Sequence, residues 1–201
     1  MQPLTARAQR WIDGLDRIDP VPLERVQDAL GKLDFPTPPA WLDFHAQYAG
    51  LIIPMGADGA LLGLMHDRTM FFYPPKARGL DIDHDRDDGY VIVCADAHPS
   101  YDFNLTENGT FPGGPTADFT TYLEQLAVID TFYQQSPSRP TVHMLPALDK
   151  RIDLHERVLS ECTLDGASSD SFREYWVGET LLGIRDLQES PHIWWLIYEA
   201  G

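Results

Sequence analysis

The stretch "DIDHDRDDGY" (residues 81–90) holds five aspartates and one arginine in ten residues. Carboxylates this dense could bind a divalent cation, provide an acid and base pair for catalysis, or present an acidic face to a basic partner. An EF-hand loop needs glycine at its sixth position and glutamate at its twelfth. Counted from Asp81, those positions hold arginine and isoleucine; counted from Asp83, they hold aspartate and cysteine. An EF-hand is therefore excluded, and a looser cation site is a minor alternative to a solvated loop or a docking face.

The other nucleophiles and possible ligands do not form an arrangement typical of an enzyme. "DGASSDS" lacks the second glycine of GxSxG, and Cys94 lies in an apolar run. The pair His155 and Glu156 is not followed by the second histidine of a zinc-protease helix. "ENGTFPGGP" has glycines but no Gly-Lys-Ser/Thr of a phosphate loop. The sequence thus predicts no catalytic residue, no cofactor and no metal; a small hydrolase using histidine and acidic residues is the weakest alternative.

Composition limits the class of partner. The chain has 31 acidic and 15 Lys or Arg residues, a net charge of −16. Such a field repels nucleic acid and anionic lipid and favours basic partners. No stretch approaches the ~18 apolar residues of a membrane span, and the start lacks a signal peptide, so we expect a cytoplasmic protein. The two cysteines form no CxxC pair and are expected to be free thiols.

Hydrophobic periodicity predicts the elements that would position the acidic stretch. Two amphipathic helices are expected from three-and-four spacing of apolar residues, with Ala8, Trp11, Leu15 and Ile18 on the first and Leu23, Val26, Leu30 and Leu33 on the second. A third helix follows, with Thr37 as N-cap, prolines in its first turn and Gly50 as its stop.

The middle of the chain has the short apolar runs of a β-meander of about five strands. "GALLGLMHD" and "TMFFYPP" are predicted to pair, "YVIVCAD" to be a central strand, and the turn "TENG" to join "SYDFNL" and "GTFPGG". Thr116 is then expected to cap a long helix with an apolar stripe that packs on the sheet, formed by Phe119, Tyr122, Leu123, Leu126, Ile129 and Tyr133.

After Pro137 the pattern is less regular. "DLHERVLSEC" predicts a short helix. "REYWVGETLLGIRD" and "HIWWLIYEA" are either strands joined through "LQESP" or a helix and a strand. The prediction is one α+β domain over residues 1–201, with a core at about 20–135 and a C-terminal extension at about 137–201.

Two segments together resemble the SUKH superfamily of bacterial immunity proteins. "PPAWLDFHAQYAGLIIP" resembles its proline-introduced helix ending in "YAG", and "VIVCADAHPSYDFNLTENGTFPGGPTADFTTYLEQL" resembles its second signature of strands, a turn and a capped helix. The matching positions are expected to be core or turn residues, with Asp96 bonding nearby backbone amides. They are Trp41, Phe44, Tyr48, Gly50, Ala95, Asp96, Tyr101, Gly109, Phe119 and Leu123.

The resemblance implies a non-enzymatic protein that binds and neutralises a cognate toxin domain, often one directed at nucleic acid or nucleotides. Such a toxin has a basic groove, so the acidic stretch would speed encounter and occupy that groove. The candidate partner-binding residues are Asp81, Asp83, Asp85, Asp87 and Asp88. An ordinary exposed loop is the alternative for the stretch, and an acidic adaptor or regulator, like the superfamily's fungal cell-wall regulators, is the alternative for the protein. The oligomeric state is left undetermined.

Overall fold

The structure is a computed structural model of the chain and describes residues 3–33, 37–55, 58–67, 79–86, 89–97, 103–111, 118–145, 152–187 and 195–201. Within these ranges the helices, in chain order, are α1 (Ala6–Asp13), α2 (Leu23–Leu30), α3 (Pro39–Tyr48), α4 (Phe119–Gln135) and α5 (Ile152–Glu161). The strands are β1 (Ile52–Met55), β2 (Asp58–Leu62), β3 (Ile82–Asp85), β4 (Gly89–Val93), β5 (Ala95–Asp96), β6 (Asn104–Thr106), β7 (Thr141–Leu145), β8 (Thr163–Leu164), β9 (Arg173–Val177), β10 (Leu181–Asp186) and β11 (Trp195–Glu199). The strands form three antiparallel sheets, which confirms the predicted α+β class.

Residue contacts divide the chain into two compact units. The middle unit is Gly14–Gly114, and the terminal unit combines Met1–Asp13 with Pro115–Gly201. Helix α1 packs on α4, so it belongs with the C-terminal half of the chain. The organisation as one domain stays a prediction.

The first two helices are shorter than their apolar patterns predict. Helix α1 ends at Asp13, so the expected continuation through Leu15 and Ile18 is wrong. The Ile18 N–H instead donates to the Gly50 carbonyl at 2.8 Å, and this pairing with a distant segment replaces helical hydrogen bonds. Leu33 likewise lies beyond the end of α2 and is 38% exposed.

Helix α3 begins with prolines and ends before a required glycine. Its N-cap is Pro38, which makes no side-chain cap, so the expectation of Thr37 as N-cap is wrong; the fixed φ of proline starts the helix instead. Gly50 has φ +82°, and a Cβ there would collide with the Ile18 carbonyl oxygen. Glycine is therefore the residue that this chain reversal requires.

The middle unit has two three-stranded sheets, ordered β1-β2-β5 and β3-β4-β6, rather than one meander. The run "YVIVCAD" does supply a central strand, β4, but breaks at Cys94, and its end, β5, pairs with β2 in the other sheet. Strand β1 was missed because Pro54 lies within it; proline is tolerated there since β1 is an edge strand among the described residues. "TMFFYPP", the expected partner of β2, lies outside the described residues.

In the terminal unit, a sheet ordered β7-β11-β10-β9-β8 carries a helix on each face. Helix α4 covers one face through a cluster of Val128, Phe132, Tyr175, Leu182 and Ile184. Helix α5 covers the other face through Leu154, Val158, Leu181, Trp195 and Ile197. Of the two alternatives predicted for the C-terminal segments, the one with strands is therefore confirmed. The C-terminal extension supplies the largest of the three sheets in the described residues.

The start of α4 corrects another sequence prediction. Asp118, rather than Thr116, is the N-cap, and its carboxylate accepts hydrogen bonds from the N–H and hydroxyl of Thr121 at 2.9 and 3.0 Å. The helix also buries polar Glu124 and Gln125, so its buried surface is wider than the predicted apolar stripe. The wider buried surface arises because α4 packs on α1 as well as on the sheet.

Candidate functional site

The acidic stretch forms a β-hairpin, which we call the acidic hairpin (residues 81–93). Strands β3 and β4 pair with Asp83 opposite Val91 and Asp85 opposite Gly89. The Val93 N–H donates to the Asp81 carbonyl at 2.9 Å, so the ladder extends to Asp81. Within the described residues β3 is an edge strand. Asp81, Asp83 and Asp85 are thus held on regular extended backbone at the border of a sheet.

Alternation along this strand divides its side chains between two faces. Asp81 and Asp83 share one face, while Ile82 and His84 share the other. The Asp83 side chain is exposed, and its Oδ1 accepts a hydrogen bond from the His84 N–H at 2.8 Å. The Asp85 side chain and residues 87–88 lie outside what the structure describes.

The opposite face and the turn of the acidic hairpin have their own contacts. The rings of His84 and Tyr90 meet edge to face, with centroids 4.9 Å apart. Exposed Glu107 accepts a hydrogen bond from the Tyr90 N–H at 3.3 Å through its Oε1. Its position follows from the pairing of β6 with β4. Sequence reasoning missed this carboxylate, because only that pairing brings "TENG" beside the acidic stretch.

The family-resemblance residues of the middle unit lie in its core and turns. Trp41 is fully buried, and its Nε1–H donates to the Thr106 carbonyl at 2.8 Å. Phe44 and Tyr48 are also buried, with ring centroids 5.5 Å apart. Gly109 has φ +81° in the turn that follows β6. The bond from Trp41 connects the two segments that carry the resemblance.

The other residues that carry the family resemblance are buried, partly exposed or outside the described residues. Phe119 and Leu123 of α4 are buried in the terminal unit, and Ala95 is buried in β5. Asp96 is partly exposed, and its predicted bonds to backbone amides stay a prediction. Tyr101 lies outside the described residues.

A buried histidine that the sequence did not single out joins three segments of the middle unit. His45 is 2% exposed. Its Nδ1 accepts a hydrogen bond from the Leu64 N–H at 3.1 Å, and its Nε2 lies 2.8 Å from the Val21 carbonyl oxygen. An N–H can only donate and a carbonyl can only accept, so the ring is neutral with its proton on Nε2. Burial lowers its pKa, against the hydrogen bond to Val21 that raises it.

Both thiols are poor nucleophiles. Cys94 is fully buried, and burial raises its pKa far above its usual range. Burial first, and then the Glu161 carboxylate, raise the pKa of Cys162 to about 11. At neutral pH both are therefore thiols and not the reactive thiolates. Among the described residues, no group of three or more His, Cys, Asp or Glu side chains could hold a metal ion.

The terminal unit contains a partly buried polar cluster centred on Arg7. The Arg7 Nη2 lies 2.6 Å from Asp165 Oδ2 and 3.3 Å from Glu124 Oε2, and it donates to the Ser168 hydroxyl at 3.0 Å. Glu124 also accepts from the N–H and hydroxyl of Thr5 at 2.6 and 2.7 Å. Ser168 is fully buried and is bonded to a carboxylate rather than to a basic histidine. The cluster fastens α1 to α4 and has no arrangement for nucleophilic catalysis.

A groove of about 550 Å³ lies on the face of the five-stranded sheet that α4 covers in part. Apolar side chains form most of its wall, and an ion pair between Arg173 and Asp186, at 3.7 Å, lies within it. The lining residues are Ile129, Met144, Arg173, Tyr175, Ile184, Asp186, Trp195, Leu196 and Tyr198. Sequence reasoning missed the groove, since one helix and four strands contribute to it and no local pattern marks it.

No helix in the described part of the chain is long and apolar enough to cross a bilayer. Comparison of the chain with models of known protein families, with curated proteins and with solved structures found no match.

Proposed function

We propose that this protein is a binding protein of the SUKH type that neutralises a basic toxin domain, and that the acidic hairpin is part of its binding surface. The observation that carries the proposal is the register of the edge strand β3. It places Asp81 and Asp83 on one face, with the Asp83 carboxylate exposed, and the pairing of Asp85 with Gly89 continues the same strand. A flexible loop would not impose that order on the carboxylates.

The spacing of these carboxylates suits a groove that binds phosphates. Alternate residues on a strand are about 6.7 Å apart, so the face carries a regular row of negative charge. Exposed Glu107 adds a carboxylate near the hairpin turn. A toxin that acts on nucleic acid or nucleotides needs cationic side chains for phosphates, and the same side chains would attract this row.

The net charge of −16 supports the same partner chemistry. Long-range attraction raises the rate of encounter with a basic protein and falls with ionic strength. Each exposed charge pair contributes only about 0.2 to 1 kcal/mol, so the hairpin would set rate and orientation more than final affinity. Apolar contacts elsewhere in the complex would then slow dissociation.

The first experiment is co-expression with the C-terminal domain of the protein encoded by the adjacent gene. Survival of the host and co-purification of a stable complex would support the proposal. A harmless neighbour, or one that fails to bind, would reject it and favour the adaptor alternative.

The role of the hairpin is tested by the triple change of Asp83, Asp85 and Asp87 to Asn. We expect association to slow by about tenfold at low salt, with a smaller effect at high salt. The matched control removes three charges at exposed residues that are not part of the hairpin: Asp28→Asn, Glu156→Gln and Glu179→Gln. Equal slowing in both triple variants would show that only net charge matters, and would refute a specific role for the hairpin.

A further inference from the structure

Within the part of the chain that the structure describes, strand β7 is an edge of the five-stranded sheet and lies outside the apolar clusters of α4 and α5. In the described residues its one strand neighbour is β11. The apolar clusters formed by α4 and by α5 contain no residue of β7. Val142 is 45% exposed and Met144 is 66% exposed. As far as the structure describes the chain, this edge therefore presents unpaired backbone together with exposed apolar side chains.

The exposed side chains continue the groove described above. Val142 lies opposite Tyr198 and Met144 opposite Leu196, so both lie on the face that carries the α4 cluster. A strand added beside β7 would place its alternate side chains on the same face. Apolar side chains at those positions would extend the apolar row and cover Val142 and Met144.

The edge lacks the charges that usually protect such strands. Its sequence "TVHML" contains no Asp, Glu, Lys or Arg, in a protein with 46 such residues among 201. Charged side chains on an edge strand normally prevent pairing with another strand. Pro140 and Pro146 flank the strand in sequence, and proline has no N–H for a sheet ladder. The open ladder is therefore limited to five residues.

We propose that two copies of this chain form a two-fold symmetric dimer in which β7 pairs antiparallel with β7 of the second copy. A partner strand must be neutral, apolar at alternate positions and no longer than the space between the prolines, and a second β7 meets all three conditions. The prolines fix the register, with His143 of one copy opposite His143 of the other. Val142 of each copy then lies opposite Met144 of the other, and the two sheets become one of ten strands.

Sedimentation of the full chain without any partner tests the dimer. A five-residue edge is short, so we expect a weak dimer whose fraction rises between about 1 µM and about 1 mM protein. Salt should strengthen it, because each copy carries a charge of −16 and screening reduces their repulsion. A chain that stays monomeric over this range at high salt would overturn the proposal and leave the edge to a different protein.

Two substitutions locate the interface. Val142→Glu and Met144→Glu should each shift dimerisation to at least tenfold higher concentration, because a carboxylate would be buried beside an apolar side chain. The matched control is Leu164→Glu, in β8 at the opposite edge of the sheet, where the leucine is also 45% exposed. An effect of the control but not of the β7 variants would refute this interface. Circular dichroism checks that all three variants fold.

Oxidative cross-linking tests the register. In a Cys162→Ser background, His143→Cys should form a disulfide between copies, since residues at the two-fold centre face each other at a Cβ separation of about 5 Å. Thr141→Cys is the control, because the two copies of residue 141 would lie about 13 Å apart along the strands. Equal cross-linking at both positions would exclude the proposed pairing. The expected effect of salt is opposite to that for binding a basic toxin, so either proposal can fail without the other.

Discussion

The buried His45 allows a quantitative prediction about acid stability. The ring accepts a hydrogen bond from Leu64 and donates one to Val21, so only the neutral form fits the fold. Burial lowers its pKa below the ordinary value of 6.5. The unfolded chain therefore binds more protons than the folded chain as the pH falls below about 6.5. The contribution of neutral His45 to the free energy of unfolding is fully present above that pH and is lost as the solution becomes more acidic.

The size of the effect follows from proton linkage. If His45 stays neutral in the folded state, lowering the pH from 7.5 to 5.5 removes about 1.4 kcal/mol of unfolding free energy. His66 adds a loss of the same sign, because burial also lowers its pKa, although the charge of Asp96 acts to raise it. A positive charge on His45 also lowers the pKa of His66.

The comparison of His45→Gln with the unchanged protein isolates the contribution of His45. A glutamine amide can accept from Leu64 and donate to Val21 without titrating, so this variant should lose about 1.4 kcal/mol less over the same pH range. His45→Ala should cost about 3 kcal/mol even at pH 7.5, since it leaves two buried backbone groups without partners and creates a cavity.

Urea denaturation followed by circular dichroism at each pH provides the free energies. Hydrogen exchange at the Leu64 amide reports on the middle unit directly. Equal pH dependence in the His45→Gln variant and the unchanged protein would refute the assignment of a neutral, doubly bonded His45.

Two further substitutions test the packing of the terminal unit. Gly183→Ala would place a Cβ 2.5 Å from Val158 Cγ1, so the Val158 side chain or the helix that carries it must shift, and we expect a loss of about 1 to 3 kcal/mol; Gly166→Ala, where a Cβ meets no atom within 4 Å, should be nearly neutral in the same denaturation experiment. Glu124→Gln removes the buried charge facing Arg7, and it should cost about 1 to 3 kcal/mol and increase hydrogen exchange throughout α1. Unchanged exchange in α1 would show that this cluster does not hold the helix.

Local patterns predicted the secondary structure better than its boundaries or its pairing. The spacing of apolar residues indicated helices near α1, α2, α4 and α5 because burying one face of a helix imposes a local period. The ends were less well predicted. The first helix ends early because Ile18 bonds to Gly50, and α4 begins at Asp118 because that carboxylate bonds to the helix. Such competing hydrogen bonds leave little trace in the periodicity.

For the candidate sites too, the sequence revealed which residues are present but not how the fold arranges them. The aspartates of the acidic hairpin were evident from composition, but their shared face depends on the pairing of β3 with β4. No strand was predicted within "SPSRPTVHMLP", although this segment contains the edge strand β7. Whether a strand lies at an edge, and whether a groove forms beside it, depends on its pairing with strands distant in sequence. No local pattern could therefore predict either feature.

The sequence by itself determined the acidic charge, the α+β class and the positions of most helices, because these properties depend on composition or on residues a few positions apart. The tertiary structure decided which strands are neighbours and which carboxylates share a face. It also decided that His45 is neutral and that Glu124 is buried against Arg7. Those features depend on backbone groups and charges that meet only after distant segments pack, and no local period records such contacts.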